Sequence, residues 1–252
     1  MRIRRRGLAG LLALVSLESL GQTRSGRARV YGLVSLVADH LTVTGFESTT
    51  GSHIAANPTE RIPLQSDALE RSVLRAAHKA LTEAGAARVV PLLIDDGNLY
   101  EQQGRLVAGG RAVLPASLSQ TLQAQQATHL VLVTKLRSEA RMKTGVETLG
   151  SGRVEGLGFY VDRVTPLRIV GSGDRTVGYI APHAYLRVWL IDLGGGRVVG
   201  QRDVLESEVV TPREDQGGAD PWKWMDNETK MKALDTLIGT GVSRAVRELA
   251  AL

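Results

Sequence analysis

The sequence of 252 residues predicts an α/β (α+β) domain, a mixed β-sheet with a long antiparallel hairpin packed against about three helices. Three observations predict it. Tyr185–Glu208 reads as two long strands, because Leu186, Val188 and Leu190 alternate with Arg187, Trp189 and Ile191 before a break at Asp192-Leu193-Gly194-Gly195-Gly196. Apolar runs at strand spacing alternate with segments at helical spacing ahead of that hairpin. Hydrophobic content of 43% and charge of 23% lie near the globular average, enough to build one core.

The elements follow in order. Val30–Val37 predicts the first strand, with Val43–Phe46 continuing it after a break around Asp39-His40. Glu47–Pro63, rich in Ser, Thr, Gly, Asn and Pro, predicts a loop. Leu69, Val73, Ala76, Ala77, Ala80, Leu81 and Ala84 recur at helical spacing and Gly85 ends the run, with Ser66 or Asp67 as cap and Glu70 completing a capping box from Asp67. Arg88–Ile94 is a short strand whose Pro91 marks an edge or a bulge. A partial helix falls around Leu99–Gln103, a second full helix over Leu114–Ala127, and Thr128–Leu136 is apolar enough for a central strand. Arg137–Pro182 is glycine-rich and holds strand patterns at Val154–Val161, Leu167–Val170 and Val177–Ile180, an inserted hairpin or an extension of the main sheet. Val209–Pro221 is a polar loop. The closing helix, Glu228–Leu249, is capped by Asp226 or Asn227 and carries Gly239 and Gly241 as local weaknesses.

Residues 1–21 read as a signal peptide. MRIRRR is a charged start, and Gly7–Leu17 is an apolar run too short to span a bilayer; Ser19-Leu20-Gly21 offers a cut before Gln22. Residues 22–252 then form a single domain, with the glycine-rich insertion at about 137–182. Of the formal charge of +5, the leader holds +3, from four arginines against Glu18. What remains is too small for a nucleic-acid partner, and aromatic content of 4% furnishes no platform for stacking bases. The absence of cysteine excludes disulfides, a thiol nucleophile and a lipid-bearing cysteine in this sequence.

No set of residues converges on a reaction, and no cofactor or metal is expected. The histidines (His40, His53, His78, His129 and His183) are not paired at ligand spacing, and HExxH is absent. Asp95-Asp96 follows a strand, where an α/β enzyme can hold a carboxylate, but Gly97-Asn98 makes the segment an ordinary turn. Gly150-Ser151-Gly152 and Gly171-Ser172-Gly173 lack the lysine and following helix of a phosphate loop. Two places suit partner binding. Leu157, Phe159 and Val161 share one strand face beside Tyr160, and Trp222 and Trp224 lie within three residues just before the last helix. The alternatives are a strand covering the core and a staple packing the helix entrance.

The strand ATHLVLVTKL, the hairpin YLRVWLIDLGGGRVV and the closing helix together resemble the periplasmic α/β domain of curli-assembly lipoproteins (CsgG-like) and the related TolB N-terminal and LpoB-type domains. The resemblance covers Val30 to Leu252. It implies an exported, periplasmic, non-enzymatic cell-envelope module, possible at the outer membrane surface, that binds proteins or copies of itself. The family's lipoprotein members carry a processed cysteine that this sequence lacks, so lipid anchoring is not carried over. Two further functions stand beside this one: a membrane-associated oligomer inserting the 153–180 hairpin, and a periplasmic hydrolase pairing Asp95 or Asp96 with His129 or His183.

Overall fold

The computed structural model describes residues 29–46, 57–144, 147–168, 173, 175–212 and 220–252. The leader and most of the polar arm lie outside the described residues, as do the first ten residues of the loop expected over Glu47–Pro63.

The chain runs through β1 (Val30–Leu36), β2 (His40–Phe46), β3 (Thr59–Pro63), α1 (Ala68–Glu83), β4 (Arg88–Leu92), α2 (Gly97–Gln102), β5 (Val107–Ala108), β6 (Arg111–Ala112) and α3 (Ala116–Ala124). It continues through β7 (His129–Lys135), β8 (Arg137–Glu139), β9 (Met142–Lys143), β10 (Thr148–Leu149), β11 (Arg153–Arg168), β12 (Arg175–Asp192), β13 (Arg197–Ser207) and α4 (Asn227–Ala250). Among the described residues eleven strands form one mixed sheet, and β9 and β10 form a separate small flap.

The hairpin β12–β13 is the spine of the sheet. The first half of β12 pairs antiparallel with β11, from Asp162↔Tyr179 to Gly156↔Tyr185, and the second half pairs with β7, from Leu186↔Lys135 to Asp192↔His129. Two limbs therefore leave one strand. In the first, β11 pairs β2 and β2 pairs β3; in the second, β7 pairs β1 and β1 pairs β4, all three parallel. The break after β1 is what lets one run of chain serve both limbs.

Both faces of the sheet are covered. Leu186, Val188 and Leu190 of β12 pack under α1 and α4 with Val131, Val133 and Leu33. On the opposite face Ile191, Leu130, Leu132, Val34 and Leu36 pack with Leu118 and Leu122 of α3, and Tyr160, Tyr179 and Tyr185 pack with Met142 of the flap. The sequence alternation suggests one dry face for the hairpin; the second face is partly covered as well, with Ile191 buried, Trp189 half-buried and donating from Nε1 to Thr134 Oγ1 (3.1 Å), and Arg187 paired with Asp203.

Two local expectations are corrected. Thr59–Pro63 is an edge strand rather than loop, its exposed charged side chains protecting the edge. The capping box at α1 does not form. Asp67 instead binds Arg71 one turn on (2.8 Å), and Glu70 reaches back to accept from the N–H groups of Val37 (3.3 Å) and Ala38 (2.9 Å), which have left the ladder at the break after β1. The expected strands at Val154–Val161 and Val177–Ile180 form as parts of β11 and β12, an extension of the main sheet; Leu167 and Arg168 continue β11, and the rest of the pattern expected over Leu167–Val170 lies outside the described residues.

Candidate functional site

Of the residues expected to meet a partner, all but Trp222 are buried by their own chain. Leu157, Phe159, Tyr160 and Val161 of β11 are buried, because β11 is an interior strand between β2 and β12 with both faces occupied. Trp224 is buried in the core under α4. Trp222 is half-buried, with its ring edge-on to Phe159 at 5.5 Å and the ammonium of Lys230 above it at 3.7 Å. Asp220 and Asp226 frame this corner, capping the turn at Pro221–Lys223 and the start of α4. The tryptophan pair thus staples the helix entrance to the sheet.

Beyond these residues the same strand changes character. Up to Asp162↔Tyr179, β11 and β12 are flanked by β2 on one side and by a bridge from Ile180 to Val210 on the other. Past that point, among the described residues, Pro166↔Val177, Leu167↔Thr176 and Arg168↔Arg175 pair only with each other, as a two-stranded ribbon. A bulge between Asp162 and Pro166 aims the ribbon. The buried Asp162 carboxylate fixes that bulge, accepting from the N–H groups of Val164 and Thr165 (2.8 Å each) and from the Thr165 hydroxyl (2.6 Å). Gly178 completes it at φ +86°, where a Cβ would stand 2.5 Å from the Asp162 carbonyl oxygen. Val164 and Val177, on the ribbon, are 41% and 58% exposed.

A partly buried ionic cluster closes the fork between the two limbs. Lys135, at the end of β7, pairs with Asp39 in the break after β1, and Asp39 binds His40 Nδ1 at 2.8 Å. The Lys135 ammonium also lies 3.2 Å from that ring nitrogen. Burial works against the Asp39 carboxylate, but Lys135 and His40 outweigh it and hold its pKa below the ordinary value. Glu70 beside them is driven the other way: burial raises its pKa despite the N–H groups of Val37 and Ala38. This cluster stands at the carboxyl ends of parallel strands, where α/β sheets bind ligands, yet each charge already has a partner within it.

The hydrolase constellation is not assembled. His129 opens β7 at the amino end of the parallel strands, opposite Tyr31, whereas Asp95 and Asp96 follow the other end of β4 and are exposed. Asp96 caps α2, accepting from the Asn98 N–H at 3.0 Å. His129 lines a groove of about 830 Å³ with Asp192, Ser119 and Gln123 over Leu122; burial and Arg29 lower its pKa against the pull of Asp192. His183 is buried in β12, far along the other limb. Among the described residues no group of histidines and carboxylates is placed to hold a metal ion, and no helix is long and apolar enough to cross a membrane.

No family model matches the sequence, and no curated protein matches it. Solved structures align with the chain at low identity and low structural similarity. A PelC dodecamer from Paraburkholderia phytofirmans matches at 15% identity over 88% of this chain and 86% of the other, with a TM-score of 0.32. A neuraminyllactose-binding hemagglutinin homolog from Helicobacter pylori matches at 6% identity over 89% and 82%, with a TM-score of 0.34. A Xanthomonas campestris protein of the DUF330 family matches at 11% identity over 86% and 80%, also at 0.34. Likeness this loose carries no argument about what the chain does, so function must be argued from its own residues.

Proposed function

We propose that this protein is an exported, non-enzymatic module of the cell envelope that assembles with copies of itself through the ribbon of β11 and β12. The observation that carries this reading is the ribbon itself. It leaves the sheet at a bulge locked by three hydrogen bonds to Asp162, so its direction is fixed before any partner arrives. It then exposes Val164 and Val177 where, among the described residues, the two strands pair with no third strand. A preorganised apolar ribbon lowers the ordering cost of association. The charged start and apolar run of residues 1–17 support export, and the resemblance to periplasmic CsgG-like domains supports a role in assembly.

Membrane insertion through the same ribbon is the weaker use of it. Arg163, Arg168 and Arg175 interrupt the apolar positions, and each arginine facing lipid costs about 2–4 kcal/mol near the bilayer centre. Light scattering on residues 22–252, in buffer and then in mild detergent, tests both uses. A discrete oligomer in buffer that Val164→Asp with Val177→Asp reduces to a monomer is the expected result. A monomer at every concentration, with no self-crosslinks in intact cells, overturns the proposal; an oligomer seen only in detergent transfers the ribbon to the membrane.

A further inference from the structure

On the face of the sheet opposite α1 and α4, the strand β8 and the turn before β11 enclose an open cleft of about 850 Å³. Three arginines line it: Arg137 of β8, Arg141 just beyond, and Arg153 at the start of β11. Glu139 is the one carboxylate in the lining, and it is taken by Arg141 at 2.8 Å. Among the described residues neither Arg137 nor Arg153 makes a hydrogen bond or ion pair, although Arg153 stands directly across the ladder from Glu139 and Arg137 across from Glu155. Two guanidinium groups are therefore left uncommitted around one cleft.

The cleft is built rather than incidental. Gly150 (φ +106°) and Gly152 (φ +75°) bring the turn close to its neighbours, so that a Cβ on Gly150 would stand 2.9 Å from the Ala140 carbonyl oxygen. Ser151 between them is clamped: its N–H donates to the Tyr160 hydroxyl (3.1 Å), which donates back to its carbonyl (3.2 Å), and Asn57 donates to the same carbonyl (2.8 Å). The Ala140 N–H ties the two walls together by donating to the Gly152 carbonyl at 2.9 Å. Sequence alone discounts Gly150-Ser151-Gly152 as a phosphate loop because no lysine follows it. The fold supplies the missing charge from β8.

We infer that this cleft binds an oxyanion, a phosphate or carboxylate group held by Arg137 and Arg153. Guanidinium groups offer paired N–H donors that match such an anion, and they cost little to desolvate. The inference is independent of the ribbon and of any assembly through it.

The probes are inorganic phosphate and citrate, titrated against residues 22–252 with sodium chloride matched for ionic strength. Binding to the native state raises the thermal midpoint as the ligand passes its dissociation constant. We expect a rise with phosphate or citrate that chloride does not give. Arg137→Gln with Arg153→Gln, both exposed side chains, should leave the unliganded midpoint unchanged and weaken the response at least tenfold. A response equal to that of chloride, or one that survives in the double variant, overturns the inference. Sedimentation with vesicles of phosphatidylglycerol or of phosphatidylcholine separates the sources. Arginine-dependent pelleting with the anionic vesicles alone identifies a lipid headgroup, and a response to the free anion without pelleting identifies a soluble ligand.

Discussion

The hydroxyl of Tyr185 closes both hydrogen-bonding groups of Arg141, accepting from its N–H at 2.9 Å and donating to its carbonyl at 3.0 Å. The Tyr185 side chain is fully buried in the central strand β12, while the Arg141 side chain is exposed. The core of the sheet thus dictates the path of a surface segment that has little regular structure of its own.

Tyr185→Phe keeps the packing and removes both bonds, leaving the Arg141 N–H unpaired while its carbonyl still accepts from the Ser207 hydroxyl at 3.0 Å. The expected cost is about 1–3 kcal/mol in urea unfolding, with Tyr160→Phe similar through Ser151. If the inference about the cleft is right, either variant also weakens the response to phosphate while both arginines remain. An unchanged unfolding midpoint would show that water replaces the hydroxyl at no loss.

Gly239 and Gly241 stand two residues apart in α4 and should respond to alanine with opposite signs. Nothing lies within 4 Å of a Cβ built on Gly239, so Gly239→Ala gains helix propensity, about 0.5–1 kcal/mol. A Cβ on Gly241 would stand 2.4 Å from Val204 Cγ1 and 2.9 Å from Glu206 Cγ. Gly241→Ala should therefore cost about 1–3 kcal/mol by pushing α4 off β13. Thermal midpoints that move the same way in both variants would contradict this packing.

That pair shows where sequence reading stops. Both glycines read as weak points of a helix, since propensity sees the backbone alone; Gly241 is a close approach only because Val204 is beneath it. The organising hairpin, α1, α4 and the central strand β7 are legible because their apolar spacing reports burial directly. Leu157, Phe159 and Val161 were equally legible as a buried face, yet the same spacing suits a partner surface, and only the neighbours β2 and β12 decide between them. The fork at Asp39 and Lys135 and the three-arginine cleft join residues distant in sequence, Arg137 with Arg153 and Asp39 with Lys135, and no local pattern announces such pairs.

Lys135 carries the fork. Its side chain is almost wholly buried against Asp39 and His40, so Lys135→Met leaves the Asp39 carboxylate half-buried without its main counter-charge. Removing one partner of a buried pair costs about 3–5 kcal/mol, and the partial exposure of Asp39 places this case at or below the lower end. Because the folded-state pKa of Asp39 is lowered, the stability it contributes is present above 3.8 and lost as pH falls below it toward the folded value. Lys135→Met should remove that contribution. Asp39→Asn with Lys135→Met should recover part of the loss, which a double-mutant cycle measures. Strict additivity would mean that the pair does not couple.

His183 sets a second limit toward acid. Its imidazole is fully buried in β12, edge-on to Tyr185 at 5.5 Å, and neither ring nitrogen reaches hydrogen-bond geometry with a described residue. Burial drives its pKa from 6.5 down to about 4. The unfolded chain therefore takes up a proton at a pH where the folded chain refuses it. Stability is full above 6.5 and falls as pH drops from 6.5 to about 4, by about 3 kcal/mol from this residue, with no further loss from it below. His183→Leu has no proton to bind, so its urea-unfolding free energy should fall less steeply across that window, whatever its value at neutral pH. Parallel curves for the two proteins would mean that His183 is charged in the folded state, and that the sheet opens to water at β12.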